Sequence, residues 1–178
     1  MIYIVYSNPA NKRQYCIQYK VKSMSYRAFL MLLIGAGVGA CDQPARVSLK
    51  LDPARQQAIL ARGLDLKQLE SGFAVYEKYC QSCHGKDGKG QPGDWRVKRE
   101  NGLYPPPPLD DSAHAWHHAT PVLRKAIEEG SPPDMGDMPP WKNKLTDREI
   151  DDVIAYIKSL WSDEVYKHWL EIEMQSRS

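Results

Sequence analysis

The chain has 178 residues, which is enough for one ordinary domain with extensions but not for two full cores. Its composition is that of a globular protein, with 42% hydrophobic and 26% charged residues. The formal net charge is only +2, and every acidic residue lies from Asp42 onward, so residues 42–178 lack the basic surplus that nucleic-acid binding would favour.

Residues 1–41 are predicted to be a targeting segment. The apolar run FLMLLIGAGVGAC at 29–41 is short for a bilayer span, follows a basic residue and ends in small residues, as export signals do. Its end, VGAC, resembles a bacterial lipobox, which implies that Cys41 is lipidated and holds the protein at the periplasmic face of the inner membrane. The alternatives are a plain signal peptide, giving a soluble periplasmic protein, or a retained anchor. Because Met24 starts a compact signal of its own, residues 1–23 are predicted to be untranslated.

Two helices are predicted ahead of a cysteine-rich motif. Residues 42–64 are expected to form a polar tether and a short helix, with Asp52 as its N-cap and a proline in its first turn. The next helix starts at Asp65, which forms a capping-box pattern with Gln68. Its apolar residues recur at helical spacing: Leu66, Leu69, Phe73, Tyr76 and Tyr79. This helix leads directly into the motif CQSCH at 80–84.

Two more helices are predicted after a long irregular stretch. Residues 85–119 show no periodicity, and since structureless loops of this length are uncommon in compact domains, a cofactor is expected to supply the missing core. Thr120 opens a helix that ends at Gly130. One face of this helix is apolar: Val122, Leu123, Ala126 and Ile127. Thr146 and Glu149 form a capping box for the last of these helices. Its apolar stripe comprises Ile150, Val153, Ile154, Ile157, Leu160 and Trp161.

The motif at 80–84 has three chemical interpretations. A thioredoxin-like disulfide requires a strand-to-helix turn, whereas this motif ends a helical pattern and no strand is predicted anywhere in the chain. A structural zinc site requires four ligands, and no cysteine follows Cys83. The histidines available to complete a mixed zinc site are His114, His117 and His118. In the third interpretation, two thioethers attach a haem and the adjacent histidine binds its iron. Export favours this third interpretation, because c-type haem is attached outside the cytoplasm.

The surroundings of the motif resemble class I c-type cytochromes. Gly72 and Tyr76 lie eight and four residues before Cys80, where that family carries a glycine and an aromatic residue at the crossing of its terminal helices. The resemblance implies that Tyr156, in the segment VIAYIKSL, contacts this crossing. It covers residues 65–161 and implies an all-α fold in which the two helices cross around one covalently bound haem c, with long irregular loops.

The same resemblance implies the residues that hold the cofactor. Cys80 and Cys83 would bind the haem covalently, and His84 would be one axial ligand of the iron. The second axial ligand would be Met138 in GDMPPW, which matches the family's Met-Pro loop before the last helix. Met135, which no proline follows directly, is the alternative ligand. A bis-histidine site that uses one of the downstream histidines is a further alternative, although polar loop positions are the simpler interpretation for them.

Three more residues are expected beside the haem. In class I cytochromes a proline carbonyl, two residues before a leucine, accepts a hydrogen bond from the axial histidine. Pro107 and Leu109 match that pair. Trp116 is expected to cover the haem edge and to donate its indole N–H to a propionate, with simple core packing as the alternative.

The predicted function is that of an outer-sphere electron carrier rather than an enzyme, with no catalytic residue, no nucleic-acid partner and unknown redox partners. A cluster of basic residues is expected to steer an acidic partner: Lys86, Lys89, Arg96, Lys98 and Arg99. A gas-binding sensor is one alternative, should Met138 leave the iron. A cytochrome subunit of a larger dehydrogenase or oxidase is another, docked through a helical extension at 162–178 that contains Tyr166 and Trp169. Packing of those two aromatic residues back onto the domain is the alternative to docking.

Overall fold

The computed structural model describes residues 2–7, 14–19 and 48–178, in two units that divide after Asp42. The first unit contains an antiparallel hairpin of β1 (Ile2–Ser7) and β2 (Gln14–Tyr19). This hairpin differs from the prediction that the chain has no strand. Both segments are rich in β-branched and aromatic residues, which favour strands. Because this part of the chain was interpreted as a leader, the prediction did not use that signal. Cys41 lies outside the described residues.

The second unit, over residues 48–178, contains helices and loops and no strand. Its helices are α1 (Pro53–Ala61), α2 (Leu66–Tyr79), α3 (Gln81–His84), α4 (Thr120–Glu129), α5 (Asp147–Ser159) and α6 (Asp163–Gln175). Short 3-10 turns occur at Lys86–Gly88 and Ala115–His117. Within this described part, no helix has the length and apolar character that crossing a bilayer would need. The all-α class is confirmed for this unit.

The predicted helix starts are confirmed, with one difference. The Asp52 carboxylate accepts from the N–H of Arg55 at 2.9 Å, and the Asp65 carboxylate accepts from Gln68 N at 3.0 Å. At Thr146 both halves of the capping box form: the Thr146 hydroxyl accepts from Glu149 N at 3.2 Å, and the Glu149 carboxylate accepts from Thr146 N at 2.8 Å. At Asp65 only one half forms: the Asp65 carboxylate accepts from the backbone of α2, and the described residues show no return contact from the Gln68 side chain.

The core of the helical unit forms where α2 crosses α5. A Cβ atom on Gly72 would lie 1.9 Å from the carbonyl oxygen of Asp152, so the two helices touch backbone to backbone. The Tyr76 and Tyr156 rings pack 5.1 Å apart in this crossing. The apolar stripe of α5 lies against it, with Ile150 and Val153 each only 1% exposed. The predicted glycine, the aromatic residue and the Tyr156 contact are therefore all confirmed.

Helix α1 packs against the same core. Ile59 is buried in contact with Leu69 and Ala155. The guanidinium of Arg62 donates to the carbonyl oxygen of Trp161 at 2.9 Å, beyond the end of α5. The short helix that was expected at the end of a tether is thus part of the packed unit.

Helix α4 ends at Gly130 as predicted, but its apolar face is only half buried. Leu123 and Ile127 pack against the core, whereas Val122 and Ala126 are exposed. The sequence predicts that the four apolar residues share one face but not how far it is covered, and α4 lies at the surface and touches the core along one edge. Gly130 has a φ of +77°, a conformation that glycine adopts without strain.

The C-terminal extension is helical, but it is a separate helix rather than a continuation of α5. Trp161 lies between the two helices and is fully buried. Its indole N–H donates to the carbonyl oxygen of Leu109 at 2.9 Å. Ser162 then caps α6. Trp169 packs 5.8 Å from the Trp161 ring and donates to the carbonyl oxygen of His118. The aromatic residues of the extension therefore pack back onto the domain, so Trp169 does not form a docking surface.

Two buried charged residues, Glu173 of α6 and Lys158 of α5, meet Thr120 at the start of α4. The Glu173 carboxylate accepts from Thr120 N at 2.7 Å and so caps α4, where Ala119 offers no side-chain acceptor. The Lys158 ammonium donates to Thr120 Oγ1 at 2.7 Å and lies 4.1 Å from the centroid of the Trp169 ring. Burial lowers the pKa of Lys158 to about 8, although the negative charge of Glu173 acts in the opposite direction.

This shift predicts that stability increases with pH in the alkaline range. Between about pH 8 and 10 the unfolded lysine retains a proton that folded Lys158 has released, so the unfolded state binds more protons. We expect the free energy of unfolding of the haem-loaded protein to gain about 2 kcal/mol from this residue over that interval. In Lys158→Met this contribution is absent, whereas Lys167→Met, at an exposed position, retains it. Denaturant titrations at several pH values measure the difference, and parallel profiles for Lys158→Met and wild type would contradict the prediction.

Candidate functional site

The motif at 80–84 forms the corner between α2 and α3. Cys80 caps the C-terminus of α2 and is half-buried, whereas Cys83 is exposed in α3. The two cysteines are not joined in a disulfide. Burial raises the pKa of the Cys80 thiol to about 12, and the neighbouring Cys83 adds to this effect. The thioredoxin-like interpretation fails here, because the first thiol follows a helix and its thiolate is disfavoured.

The arrangement of these side chains does not support a zinc site. Among residues 2–7, 14–19 and 48–178, no three His, Cys, Asp or Glu side chains converge as a metal site would require. The downstream histidines contact aromatic rings instead: His114 stacks on Trp95 with ring centroids 5.0 Å apart. His117 packs edge-on against Trp116.

The His84 imidazole is oriented by a backbone carbonyl. Its Nδ1 lies 2.9 Å from the carbonyl oxygen of Pro107, which is the contact that the family resemblance implied. Because a carbonyl oxygen only accepts, Nδ1 must carry the hydrogen, and this leaves the lone pair of Nε2 free to bind a metal. Burial lowers the pKa of His84, against the effect of this hydrogen bond, so the ring is neutral and competent as a ligand near pH 7.

Close backbone contacts at glycines place Pro107 beside His84. A Cβ atom on Gly85, whose φ is +76°, would lie 2.1 Å from the carbonyl oxygen of Gly90, so the loop after His84 folds tightly on itself. The carbonyl oxygen of Gly88 accepts from Leu109 N at 2.7 Å. Leu109 in turn accepts from the indole of Trp161. The stretch that ends at Leu109 is thus held on one side by the loop after His84 and on the other by the end of α5.

The Tyr76 hydroxyl connects the helix crossing to this loop. It donates to the carbonyl oxygen of Gly85 at 2.7 Å in a buried position. We expect Tyr76→Phe to lower the free energy of unfolding by about 1–3 kcal/mol, since it leaves a buried carbonyl without its donor. The control is Tyr166→Phe, whose hydroxyl lies 3.5 Å from the carbonyl oxygen of Arg62, so the loss should be much smaller. Urea titrations compare the two, and equal losses would count against this assignment.

The loop that contains Met138 is fixed to the end of α4. The carbonyl oxygen of Met138 accepts from Ser131 N at 3.0 Å, and a Cβ atom on Gly130 would lie 2.4 Å from it. Trp141 packs edge-on against Tyr79, the residue before Cys80, with ring centroids 5.2 Å apart. The loop therefore reaches the end of α2, where the cysteine motif begins.

The two candidate methionines differ in exposure. Met138 is half-buried, whereas Met135 is 49% exposed. The carbonyl oxygen of Met135 accepts from Tyr104 N at 3.0 Å, which attaches this part of the loop to the preceding irregular stretch. A ligand that is shielded from water is the better candidate, so the structure favours Met138 over Met135.

Comparison with known proteins identifies the family. Residues 67–157 match the family described as cytochrome C oxidase, cbb3-type, subunit III. The chain belongs to this family. It is a c-type cytochrome, an electron-transfer protein that binds haem c covalently. Among solved structures, the chain is similar to cytochrome CL from the marine methylotrophic bacterium Methylophaga aminisulfidivorans MPT, at 22% identity over 74% of this chain and 84% of that chain, with a TM-score of 0.43.

The residues of this cytochrome fit the haem that its family carries. The corner at 80–84 offers two cysteines, free of disulfide, and one neutral imidazole with a free Nε2. In the described part of the chain, two buried polar atoms have no hydrogen-bond partner: Trp116 Nε1 and His114 Nδ1. Buried polar atoms are normally paired, so these two are compatible with a polar bound group that the protein atoms alone do not supply.

Sequence reasoning missed two features of the cytochrome site. The role of the glycines in GKDGKG at 85–90 was not anticipated, although their spacing was a visible signal. Their small size allows close contact with the prolines at 105–108, since a Cβ atom on Gly90 would lie 2.9 Å from Pro108 Cγ. His114 was interpreted only as a polar loop residue or a remote candidate ligand. Its burial depends on Trp95, which is distant in sequence, and no local pattern indicates this contact.

Proposed function

We propose that this cytochrome is a monohaem, outer-sphere electron carrier with His/Met axial ligation. The observation that carries the proposal is the hydrogen bond from His84 Nδ1 to the carbonyl oxygen of Pro107, because it leaves Nε2 as the ligand atom beside Cys80 and Cys83. When bound, haem c supplies a one-electron couple. The two cysteines would hold it, and His84 and Met138 would bind its iron, the latter through its thioether.

The protein residues keep this site rigid and closed to substrates. With His84 and Met138 both bound to the iron, no ligand position would remain open for a reacting molecule. The bonds to Pro107 and Leu109 fix the histidine side, and the contact at Gly130 fixes the methionine loop. A cage that stays in place in both oxidation states lowers the cost of reorganisation. The exposed Cys83 places the attachment edge at the surface, where a redox partner can approach.

The proposal is tested by expressing the full chain in a host that attaches c-type haem and recording optical spectra during a redox titration. We expect one covalent haem per chain, a sulfur-to-iron charge-transfer band in the oxidised form, and no rapid CO binding to the reduced form. Absence of covalent haem would end the proposal. Immediate CO binding would favour the gas-binding alternative instead.

We further propose that Cys41 is the lipidated N-terminus of a periplasmic protein on the inner membrane. Support comes from the VGAC pattern and from the family, whose bacterial members are typically exported. Mass spectrometry of the mature N-terminus tests this placement. We expect an acylated Cys41, and recovery of an unmodified residue 1 would contradict both the lipid anchor and the predicted start at Met24.

A second candidate function is that of a cytochrome subunit in a terminal oxidase complex. The description of the matching family, which names an oxidase subunit, favours it. Mild solubilisation of membranes from the native organism, followed by affinity isolation, distinguishes the two. Stable co-isolation of other haem proteins would support the subunit, whereas isolation of the chain alone supports the mobile carrier.

Fewer of the basic residues near the motif carry an unpaired charge than the sequence indicates. Arg96 pairs with Asp94 at 2.8 Å and Arg99 with Asp137 at 3.3 Å, so these two do not contribute unpaired charge. Lys86 and Lys89 are exposed close to Cys83 in sequence. The acidic start of α5 is also neutralised in part. Arg124 of α4 forms ion pairs there with Asp147 and Asp151.

Three lysines of the cluster form no ion pair in the described part of the chain: Lys86, Lys89 and Lys98. Electrostatic steering should depend mainly on Lys86 and Lys89, which lie closest to Cys83 in sequence. We expect the oxidation of the reduced protein by ferricyanide to slow by about 3-fold or more as salt is raised, because screening removes the attraction. In the double variant Lys86→Glu/Lys89→Glu this dependence should disappear or reverse. The variant Lys125→Glu/Lys167→Glu has the same net charge and changes exposed lysines of α4 and α6. Stopped-flow rates at several ionic strengths provide the comparison, and equal behaviour of the two variants would contradict a local effect.

A further inference from the structure

The single-turn helix α3 ends with two carbonyl groups that backbone donors do not satisfy. Gly85, whose φ is +76°, turns the chain away after His84 and so ends the helix. The carbonyl groups of a last helical turn need donors from outside the helix. For Ser82 and Cys83, no backbone N–H in the described part of the chain supplies one.

One side chain supplies both of these donors. Gln91 Nε2 donates to the carbonyl oxygen of Ser82 at 2.8 Å and to that of Cys83 at 3.1 Å. Because carbonyl oxygens only accept, the bonding atom must be the amide NH2 group, and its two hydrogens match the two acceptors. Among the residues that the structure describes, no other side chain hydrogen-bonds to the backbone of residues 80–84.

Backbone donors occupy the other three carbonyl groups of the motif. The carbonyl oxygens of Cys80 and Gln81 accept from N–H groups at the end of α3, at 2.8 and 2.9 Å. The carbonyl oxygen of His84 accepts from Gly90 N at 2.7 Å. Since Gly90 directly precedes Gln91, these two residues close the intervening loop back onto the motif. With the Gln91 amide in place, all five carbonyl groups of residues 80–84 have a donor.

The carbonyl group of Cys83 belongs to the peptide group that joins Cys83 to His84. This peptide group therefore connects a cysteine that would hold the haem to the histidine that would bind its iron. The carbonyl oxygen of Pro107 holds the far end of the His84 ring through Nδ1, at 2.9 Å. Gln91 holds the backbone from which the ring extends. The two contacts together restrict the rotation of the imidazole.

We propose that Gln91 is a positioning residue for the haem, which acts by fixing the peptide group between Cys83 and His84. The inference rests on the proposed function, because it requires these two residues to bind haem c. Gln91 is exposed, so its replacement leaves the packed core intact. A glutamine that only caps a helix end would change stability, whereas a positioning residue also changes the orientation of the iron ligand in the folded, haem-loaded protein.

The test is electron paramagnetic resonance of the oxidised, haem-loaded protein, because the g-values of a low-spin ferric haem depend on how its axial ligands are rotated. Gln91→Leu removes both donors, and we expect its largest g-value to shift and the line to broaden. Gln91→Lys keeps a donor at the same position and should give the wild-type signal. The matched control is Gln175→Leu, the same change at an exposed position at the end of α6, which should also give the wild-type signal.

The outcomes separate this inference from the proposed function. A wild-type signal in Gln91→Leu overturns the inference, and so does an equal shift in Gln91→Lys or in Gln175→Leu. A His/Met optical spectrum in the same samples leaves the proposed function intact, whereas absence of covalent haem from the wild type overturns both. Should Gln91→Leu not accumulate, Gln91→Asn decides, because its side chain is one methylene shorter and cannot reach both carbonyl oxygens. A shifted signal in Gln91→Asn supports the inference, and an unchanged one overturns it.

Discussion

Replacing Gly72 with alanine is expected to disrupt the crossing of α2 and α5 and to cost about 3 kcal/mol or more of the free energy of unfolding. The added Cβ atom would lie 1.9 Å from the carbonyl oxygen of Asp152 and 2.5 Å from its carbonyl carbon, and backbone atoms of a helix cannot move aside as a side chain can. Helix propensity alone predicts the opposite sign, because alanine stabilises a helix interior by about 1 kcal/mol relative to glycine. Steric exclusion therefore decides the outcome.

The matched control is Ser71→Ala, one residue earlier in α2 at an exposed position. It adds the same residue to the same helix without approaching α5, so its stability should stay within about 0.5 kcal/mol of wild type. Thermal and denaturant unfolding of both haem-loaded variants provide the comparison. A Gly72→Ala protein as stable as Ser71→Ala would contradict the prediction, because the two helices could then move apart without a loss of stability.

Replacing Met138 with alanine is expected to open the sixth coordination position of the iron. The oxidised protein should lose its sulfur-to-iron charge-transfer band, and the reduced protein should bind CO rapidly. The midpoint potential should fall by on the order of 0.1 V or more, because a neutral thioether favours the reduced iron and axial ligation spans about 0.8 V among haem proteins.

The control for this experiment is Met135→Ala in the same loop. Met135 is 49% exposed, so its removal should leave the band, the CO reaction and the potential as in the wild type. Loss of the band in Met135→Ala with its retention in Met138→Ala would reverse the assignment. Retention in both would remove methionine from the iron altogether.

Local sequence signals were sufficient for the helix starts, whereas the helix crossing was implied by the resemblance to class I cytochromes. Asp52 and Thr146 cap their helices through neighbours three residues away, so the pattern contains the whole interaction. Gly72 and Tyr76 are recognisable by their spacing from Cys80. The contact between His84 and Pro107 was accessible only through resemblance to a family, because nothing local connects two residues 23 positions apart.

The features that sequence reasoning missed depend on contacts between distant segments. Glu173 caps α4 from another helix, and this interaction replaces the side-chain cap that Ala119 lacks. Lys158 looks like a surface residue of an amphipathic helix until α6 covers it. The half-exposed face of α4 has the same origin, since periodicity defines an apolar face but not how much of it another element covers. The charge cluster after the motif was overestimated because its arginines pair with nearby acids.

The backbone contact between α2 and α5 also affects the rate at which the domain folds. The segment from Cys80 to Thr146 separates these two helices in sequence, so the crossing cannot form until that long segment closes into a loop. Loop closure is entropically unfavourable, and folding slows as the sequence separation of native contacts grows. The domain should therefore fold more slowly than a helical bundle of its size. Until the crossing closes, the cysteines at the end of α2 remain accessible to the machinery that attaches the cofactor.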